Sequence, residues 1–260
     1  MPVPPAASSP GAKPAGAIDE ESAAAAVREM FDGIAPRYDL LNHVLSLYID
    51  RWWWWRTARR FGNILSRPEA VVLDICCGTG DMTMALLRRR PANSHPVIAA
   101  DFSHQMLVRG GAKFAAFRAS HGESAPTAIA IEADALHLPL ADNSVDLVTS
   151  AFGFRNLANY RAGLDEFFRV LRPGGELGIL DFSEPGGLLG KLYAFYFRRI
   201  LPAIGSRLSG VTGPYAYLPN SVHNFPAPAQ MREIMAAAGF REVTWTPYTF
   251  GVAGLYRAVK

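Results

Sequence analysis

Cysteine is nearly absent from this chain: of 260 residues only Cys76 and Cys77 are cysteines, and they are adjacent. Neighbouring cysteines seldom form a useful disulfide and offer no metal-ligand spacing, so a disulfide scaffold and a metal centre are both unexpected. No apolar run reaches the ~18–20 residues of a membrane-spanning helix. A charged-then-apolar secretory leader is missing as well. Net charge is small, with 26 Lys and Arg against 23 Asp and Glu, too little for a nucleic-acid partner.

The charge that exists is unevenly placed. Residues 37–67 hold six Arg against two Asp, and residues 186–210 hold Lys191, Arg198, Arg199 and Arg207 with no acid. Both segments are rich in aromatics, and the rest of the chain is net acidic. This pattern predicts attraction to an anionic surface, hence a cytoplasmic protein held peripherally at the inner face of a membrane.

Residues 1–20, with Pro2, Pro4, Pro5, Pro10 and Pro14, show no apolar periodicity and are expected to be a disordered tail. A helix is expected over 21–33, and helical spacing of Leu41, Val44, Leu45, Tyr48, Trp52 and Trp55 extends an N-terminal helical segment to residue 68. An α/β alternation follows: strands near 70–75, 96–101, 128–133, 145–150 and 176–181, with helices at 81–90, 103–120 and 159–171. Arg172-Pro173-Gly174-Gly175 reads as a turn before the fifth strand. Residues 184–224 break the rhythm and suit a lid over the strand ends. A helix over 228–238 and a terminal pair, 243–248 and 252–259, complete a doubly wound, mostly parallel seven-stranded sheet within one domain, 21–260.

The most informative stretch is Val71-Val72-Leu73-Asp74-Ile75-Cys76-Cys77-Gly78-Thr79-Gly80-Asp81. An apolar strand enters a Gly-x-Gly turn and then a helix, the arrangement that brings backbone against a nucleotide-like cofactor. The third glycine of a dinucleotide fingerprint is replaced by Thr83. That turns the expectation from NAD to S-adenosylmethionine (SAM), which has no pyrophosphate. Asp101 ends the next strand, 21 residues past Gly80, where an acid accepts bonds from ribose hydroxyls; its alternative role is a helix cap. Asp134 and Ala135 follow the third strand and fit the adenine contacts of a SAM site, the alternative being a solvated loop acid.

These pieces, together with Phe31-Asp32-Gly33-Ile34-Ala35-Pro36-Arg37-Tyr38-Asp39, Phe152-Gly153-Phe154-Arg155-Asn156, Arg172-Pro173-Gly174-Gly175, Asp181-Phe182-Ser183-Glu184-Pro185 and Tyr215-Ala216-Tyr217-Leu218-Pro219-Asn220, resemble the UbiE/MenG family of quinone-biosynthesis methyltransferases. The resemblance implies a class I SAM-dependent methyltransferase fold and C-methylation of demethylmenaquinol, or of the corresponding benzoquinol. It implies cofactor binding by Gly78, Thr79, Gly80, Asp101, Phe102, Asp134 and Ala135. Arg155, Asn156, Tyr38 and Tyr217 are the expected catalytic set around the quinol: Arg155 either steadies a developing phenolate or pairs with an acid to hold its loop. Ala151 stands where relatives often carry Ser or Gly, so no binding role is carried over to it. Ile75-Cys76-Cys77-Gly78 resembles menaquinone-side members.

Successive helical residues step by ~100°, so Trp52, Trp53, Trp54 and Trp55 cannot share one buried face. The exposed members are expected either to dock on anionic lipid or to pack on a partner subunit of a homodimer. Competing readings are a SAM methyltransferase for another phenol or lipid, an NAD-linked oxidoreductase and a non-catalytic scaffold.

Overall fold

The computed structural model describes residues 11–12, 14, 16–35, 43, 46, 48–185 and 213–260, with backbone alone at 213–216 and 218. Strands β1 (Val72–Ile75), β2 (Val97–Asp101), β3 (Ala128–Glu132), β4 (Val145–Ala151), β5 (Leu171–Phe182), β6 (Arg241–Tyr248) and β7 (Ala253–Val259) form one sheet. Its order is β3-β2-β1-β4-β5-β7-β6. Strands β1 to β5 pair in parallel, and β7 runs antiparallel to both β5 and β6. This is the seven-stranded sheet expected from the alternating pattern. The order reverses between β1 and β4, so a crevice opens at their carboxyl ends.

Helices cover both faces. They are α1 (Glu20–Ile34), α2 (Ile49–Arg60), α3 (Gly62–Leu65), α4 (Asp81–Leu87), α5 (His104–His121), α6 (Tyr160–Val170), α7 (Gly213–Asn224) and α8 (Pro228–Ala237). Every residue of β1 is buried: Leu73 and Ile75 face one apolar layer and Val72 the other. That two-sided burial explains its unbroken apolar sequence. Helix α6 buries Tyr160, Gly163, Leu164, Phe167 and Val170, an i, i+3, i+4, i+7 stripe, against the first layer. Helix α1 opens with a capping box: Ser22 N–H donates to Asp19 Oδ1 at 2.8 Å, and Asp19 N–H to Ser22 Oγ at 3.1 Å.

Two expectations change. Residues 172–175 form no separate turn but a bulge within β5: Leu171 pairs with Val145 and pairing resumes at Glu176 opposite Leu147. Gly174, at φ +80°, takes up the extra length. The expected disordered tail is also partly laid on the body. Ala12 N–H donates to Leu157 O at 2.8 Å, and Gly11 packs so tightly on Ala158 that a Cβ there would lie 1.8 Å from its carbonyl oxygen. Most of the proposed lid, 186–212, lies outside the described residues.

Candidate active site

The carboxyl end of β1 runs into a tight turn. Cys76, Gly78 and Gly80 have φ of +54°, +54° and +85°. Gly80 N–H donates to Cys77 O at 2.9 Å, and its own carbonyl takes Met84 N–H at 2.8 Å to start α4. A Cβ on Gly80 would sit 2.5 Å from the Phe114 ring, so glycine is required by both conformation and space. Thr79 is buried, and Lys113 Nζ from α5 holds its hydroxyl at 3.1 Å and Asp81 at 2.9 Å. Burial pushes the Cys76 and Cys77 thiols up, so both stay protonated.

Asp101 ends β2 beside this turn. Gly78 N–H donates to its Oδ2 at 2.8 Å and Ser103 N–H to its Oδ1 at 2.9 Å. Burial raises its pKa to about 6, against those hydrogen bonds. A carboxylate has acceptor positions beyond these, and here they adjoin a glycine turn at the switch point. These acceptor positions therefore fit the hydroxyls of a ribose diol. Asp134, just past β3, is exposed; its carboxylate takes Leu136 N–H at 2.9 Å and approaches His137 Nδ1 at 3.2 Å. Ala135 beside it is buried, and Ala133 N–H bonds Asp101 O at 2.9 Å, which ties the ends of β2 and β3 together.

Helix α1 clamps the loop after Asp101. Arg28 Nε donates to Phe102 O at 2.7 Å and its NH2 to Glu132 at 2.5 Å, while Ser103 Oγ donates to Asp32 at 2.5 Å. Neither Arg28 nor Asp32 was singled out as a site residue from the sequence; Asp32 lies in the quoted Phe31–Asp39 run, but nothing local marks its partner. Asp74 was missed as well. It is wholly buried in β1, and a lone acid in an apolar strand was the available signal.

At the end of β4, Phe152 has φ +58°, and the chain turns through residues 154–156. Gly153 is required there because a Cβ would lie 2.3 Å from the Cys76 Cβ. Arg155 is buried and paired with Asp181 of β5: NH1 to Oδ1 at 2.9 Å and the backbone N–H to Oδ2 at 3.1 Å. Its NH1 also donates to Phe152 O, and the guanidinium stacks 5.2 Å from the Phe182 ring. Of the two roles expected for Arg155, these partners favour loop-holding, because its charge is already matched by a carboxylate. Asn156 meets Tyr217 of α7, whose hydroxyl donates to Asn156 Oδ1 at 3.1 Å. Burial raises the Tyr217 pKa. Tyr38 lies outside the described residues.

Residues 18–260 match the ubiE/COQ5 methyltransferase family. The chain belongs to that family. It is 44% identical over 243 residues to a demethylmenaquinone methyltransferase of Deinococcus radiodurans, covering 92% of this chain and 94% of that protein. It is 42% identical over 237 residues to a ubiquinone/menaquinone biosynthesis C-methyltransferase UbiE of Geotalea daltonii, covering 90% and 96%. In fold it is similar to a SAM-dependent methyltransferase from Thermotoga maritima, with TM-score 0.58 at 16% identity over 89% of this chain and 99% of the other. A SAM-dependent methyltransferase from Aquifex aeolicus gives TM-score 0.53 at 20% identity over 75% and 83%. The protein is therefore a SAM-dependent methyltransferase of the quinone-biosynthesis type. No helix among the described residues is long and apolar enough to cross a membrane.

Proposed function

We propose that the protein methylates a ring carbon of demethylmenaquinol, giving menaquinol. The observation that carries this reading is the Asn156–Tyr217 pair at the end of β4, where Asn156 Nδ2 also reaches the carbonyl of Phe152 at 3.5 Å and the Phe152 ring packs with Phe182 and Trp53. An aromatic enclosure with a few oriented hydrogen-bonding groups is what a flat, oxygenated ring requires. The relatives named for demethylmenaquinone methylation support the same reading.

Gly78, Gly80 and Asp101, with Asp134 and Ala135, are the residues that would hold the cofactor. When bound, SAM supplies a methyl group already activated on a sulfonium. The chain's task is to make a carbon nucleophile of the quinol. Tyr217 and Asn156 orient one quinol oxygen, so that loss of its phenolic proton moves charge onto the ortho ring carbon. That carbon would take the methyl as the methyl's bond to sulfur breaks, and a water would accept the ring C–H proton to restore aromaticity. Arg155 is no base, since guanidinium keeps its proton. It acts by fixing the Phe152 carbonyl and the 154–156 turn that presents Asn156.

The test is transfer of labelled methyl from SAM to reduced demethylmenaquinone and, in parallel, to the reduced benzoquinone precursor. Product from the naphthoquinol supports the reading; SAM binding with no product from either refutes it. Product from both would support the dual ubiquinone and menaquinone role that the UbiE name gives the Geotalea relative.

A further inference from the structure

The tryptophan run divides by exposure. Trp53 is 3% exposed, whereas Trp52 and Trp55 are 42% and 47% exposed on the outer side of α2. Trp53 Nε1 donates to Thr249 Oγ1 at 2.8 Å, tying α2 to the turn between β6 and β7. In that turn Thr249 and Phe250 have φ of +44° and +57°. Phe250 is 84% exposed. Holding a non-glycine residue in this region costs on the order of 1 kcal/mol or more, and here the strain presents a phenyl ring to solvent. Trp52 packs edge-on against Tyr248 with centroids 5.7 Å apart, so helix and turn make one surface.

Positive charge surrounds the rings. Arg51, Arg59 and Arg60 are exposed; Arg56 stacks over Trp52 at 5.1 Å and Tyr248 at 5.2 Å, and Arg59 over Trp55 at 4.7 Å. The one acid in residues 48–60 and 248–252 is Asp50, which is buried and bonded to His43 at 2.8 Å. Protein interfaces share this Trp, Phe and Arg content, but a second copy of this surface would set arginine against arginine with no exposed acid in these segments to match it. Indoles and a phenyl ring rimmed by arginines that form no ion pair among the described residues instead match a layer of lipid headgroups carrying negative charge.

The buried Trp53 links this surface to the site. The Trp53 ring lies 5.7 Å from Phe152 and 6.1 Å from Phe182, and Phe182 faces the Arg155 guanidinium. We propose that Phe250, Trp52 and Trp55, with Arg51, Arg56, Arg59 and Arg60, seat the enzyme on an anionic bilayer, and that the Trp53–Phe152–Phe182 wall carries an isoprenoid tail between bilayer and ring site. The tail path rests on the quinol reading; the docking surface does not.

The experiment is flotation of the full chain with phosphatidylcholine vesicles, with and without phosphatidylglycerol. Wild type binds the anionic vesicles and is released by high salt. Phe250→Ser, and separately Trp52→Ser with Trp55→Ser, lower vesicle affinity about tenfold or more. Arg59→Gln and Arg60→Gln lower it about fivefold per charge on anionic vesicles only. Phe250→Ser keeps SAM affinity and turnover of a tail-less demethylated naphthoquinol, while its KM for a polyprenyl quinol in vesicles rises about tenfold. Wild type that ignores anionic vesicles overturns the proposal. So do variants that bind as wild type does, or a concentration-dependent dimer that Phe250→Ser dissolves with no vesicle binding. Vesicle binding by a protein that methylates no quinol removes the tail path and leaves the docking surface.

Discussion

Thr83 donates its hydroxyl to Asp74 at 2.6 Å, from the first turn of α4 to the buried end of β1. Thr149 gives a second hydroxyl at 2.8 Å. The residue that breaks the dinucleotide fingerprint thus answers the hydrogen-bonding demand of an acid inside the sheet. Thr83→Gly restores the fingerprint in sequence but leaves that acid short of a partner. It should cost roughly 1–3 kcal/mol of stability and confer no NAD affinity. Thermal melts and NAD titration check this; a variant of undiminished stability would sink the account.

Asp101 gives a pH dependence with a definite sign. Its folded pKa, about 6, lies above the ordinary 3.8 because burial disfavours the charged form. The unfolded chain lacks that burden. Without cofactor, the stability cost of a charged Asp101 is therefore full above about pH 6 and is relieved as pH falls toward about 4. Ribose hydroxyls donate to the ionised form, so SAM affinity moves the other way. Its Kd should be flat above about pH 6 and rise up to about tenfold per unit below. Calorimetry across that range checks it, and Asp101→Asn should show weak, pH-flat binding.

Arg155 and Asp181 form a pair in which both side chains are nearly excluded from water. Removing one leaves a buried, unmatched charge, so Arg155→Ala should lose roughly 3–5 kcal/mol. Arg155→Met with Asp181→Leu should recover part of that stability without recovering turnover. Urea unfolding beside methyl transfer separates the two effects. If Arg155→Ala keeps full stability and loses only kcat, direct contact with the quinol is the better account.

Much of this molecule is legible from periodicity. Leu164, Phe167 and Val170 of α6 mark their own buried stripe, and Asp101 declares itself by lying at a strand end the right distance past Gly80. What stayed hidden is pairing across long separations. Arg155 reads either as a cation for the substrate or as half of an ion pair, and its partner goes unnamed until Asp181 is brought next to it. Asp32 reads as one more helix acid until Ser103 meets it. The bulge at 172–175 was hidden for another reason: Pro and Gly report a broken ladder but not whether pairing resumes on the same strand.

Gly153 has φ −108°, so its backbone needs no glycine. What excludes a side chain is Cys76, with its Cβ 2.3 Å and its carbonyl 3.1 Å from an added Cβ. Gly153→Ala should cost roughly 1–3 kcal/mol by overpacking and weaken SAM binding by displacing the glycine turn. Adding Cys76→Gly removes the nearest clash and relieves a φ of +54°, so the double variant should be more stable than Gly153→Ala alone. A double-mutant cycle on melts measures the coupling; strict additivity would contradict the contact.

The clamp of α1 on the loop after β2 bears on the order in which the protein is made. Its bonds reach Phe102, Ser103 and Glu132, across 74, 71 and 104 positions of chain. Helix α1 therefore cannot complete its clamp until the third strand has followed it from the ribosome, however early its own capping box forms. Everything from α1 through β3 is synthesised before the ribose end of the cofactor site can be closed.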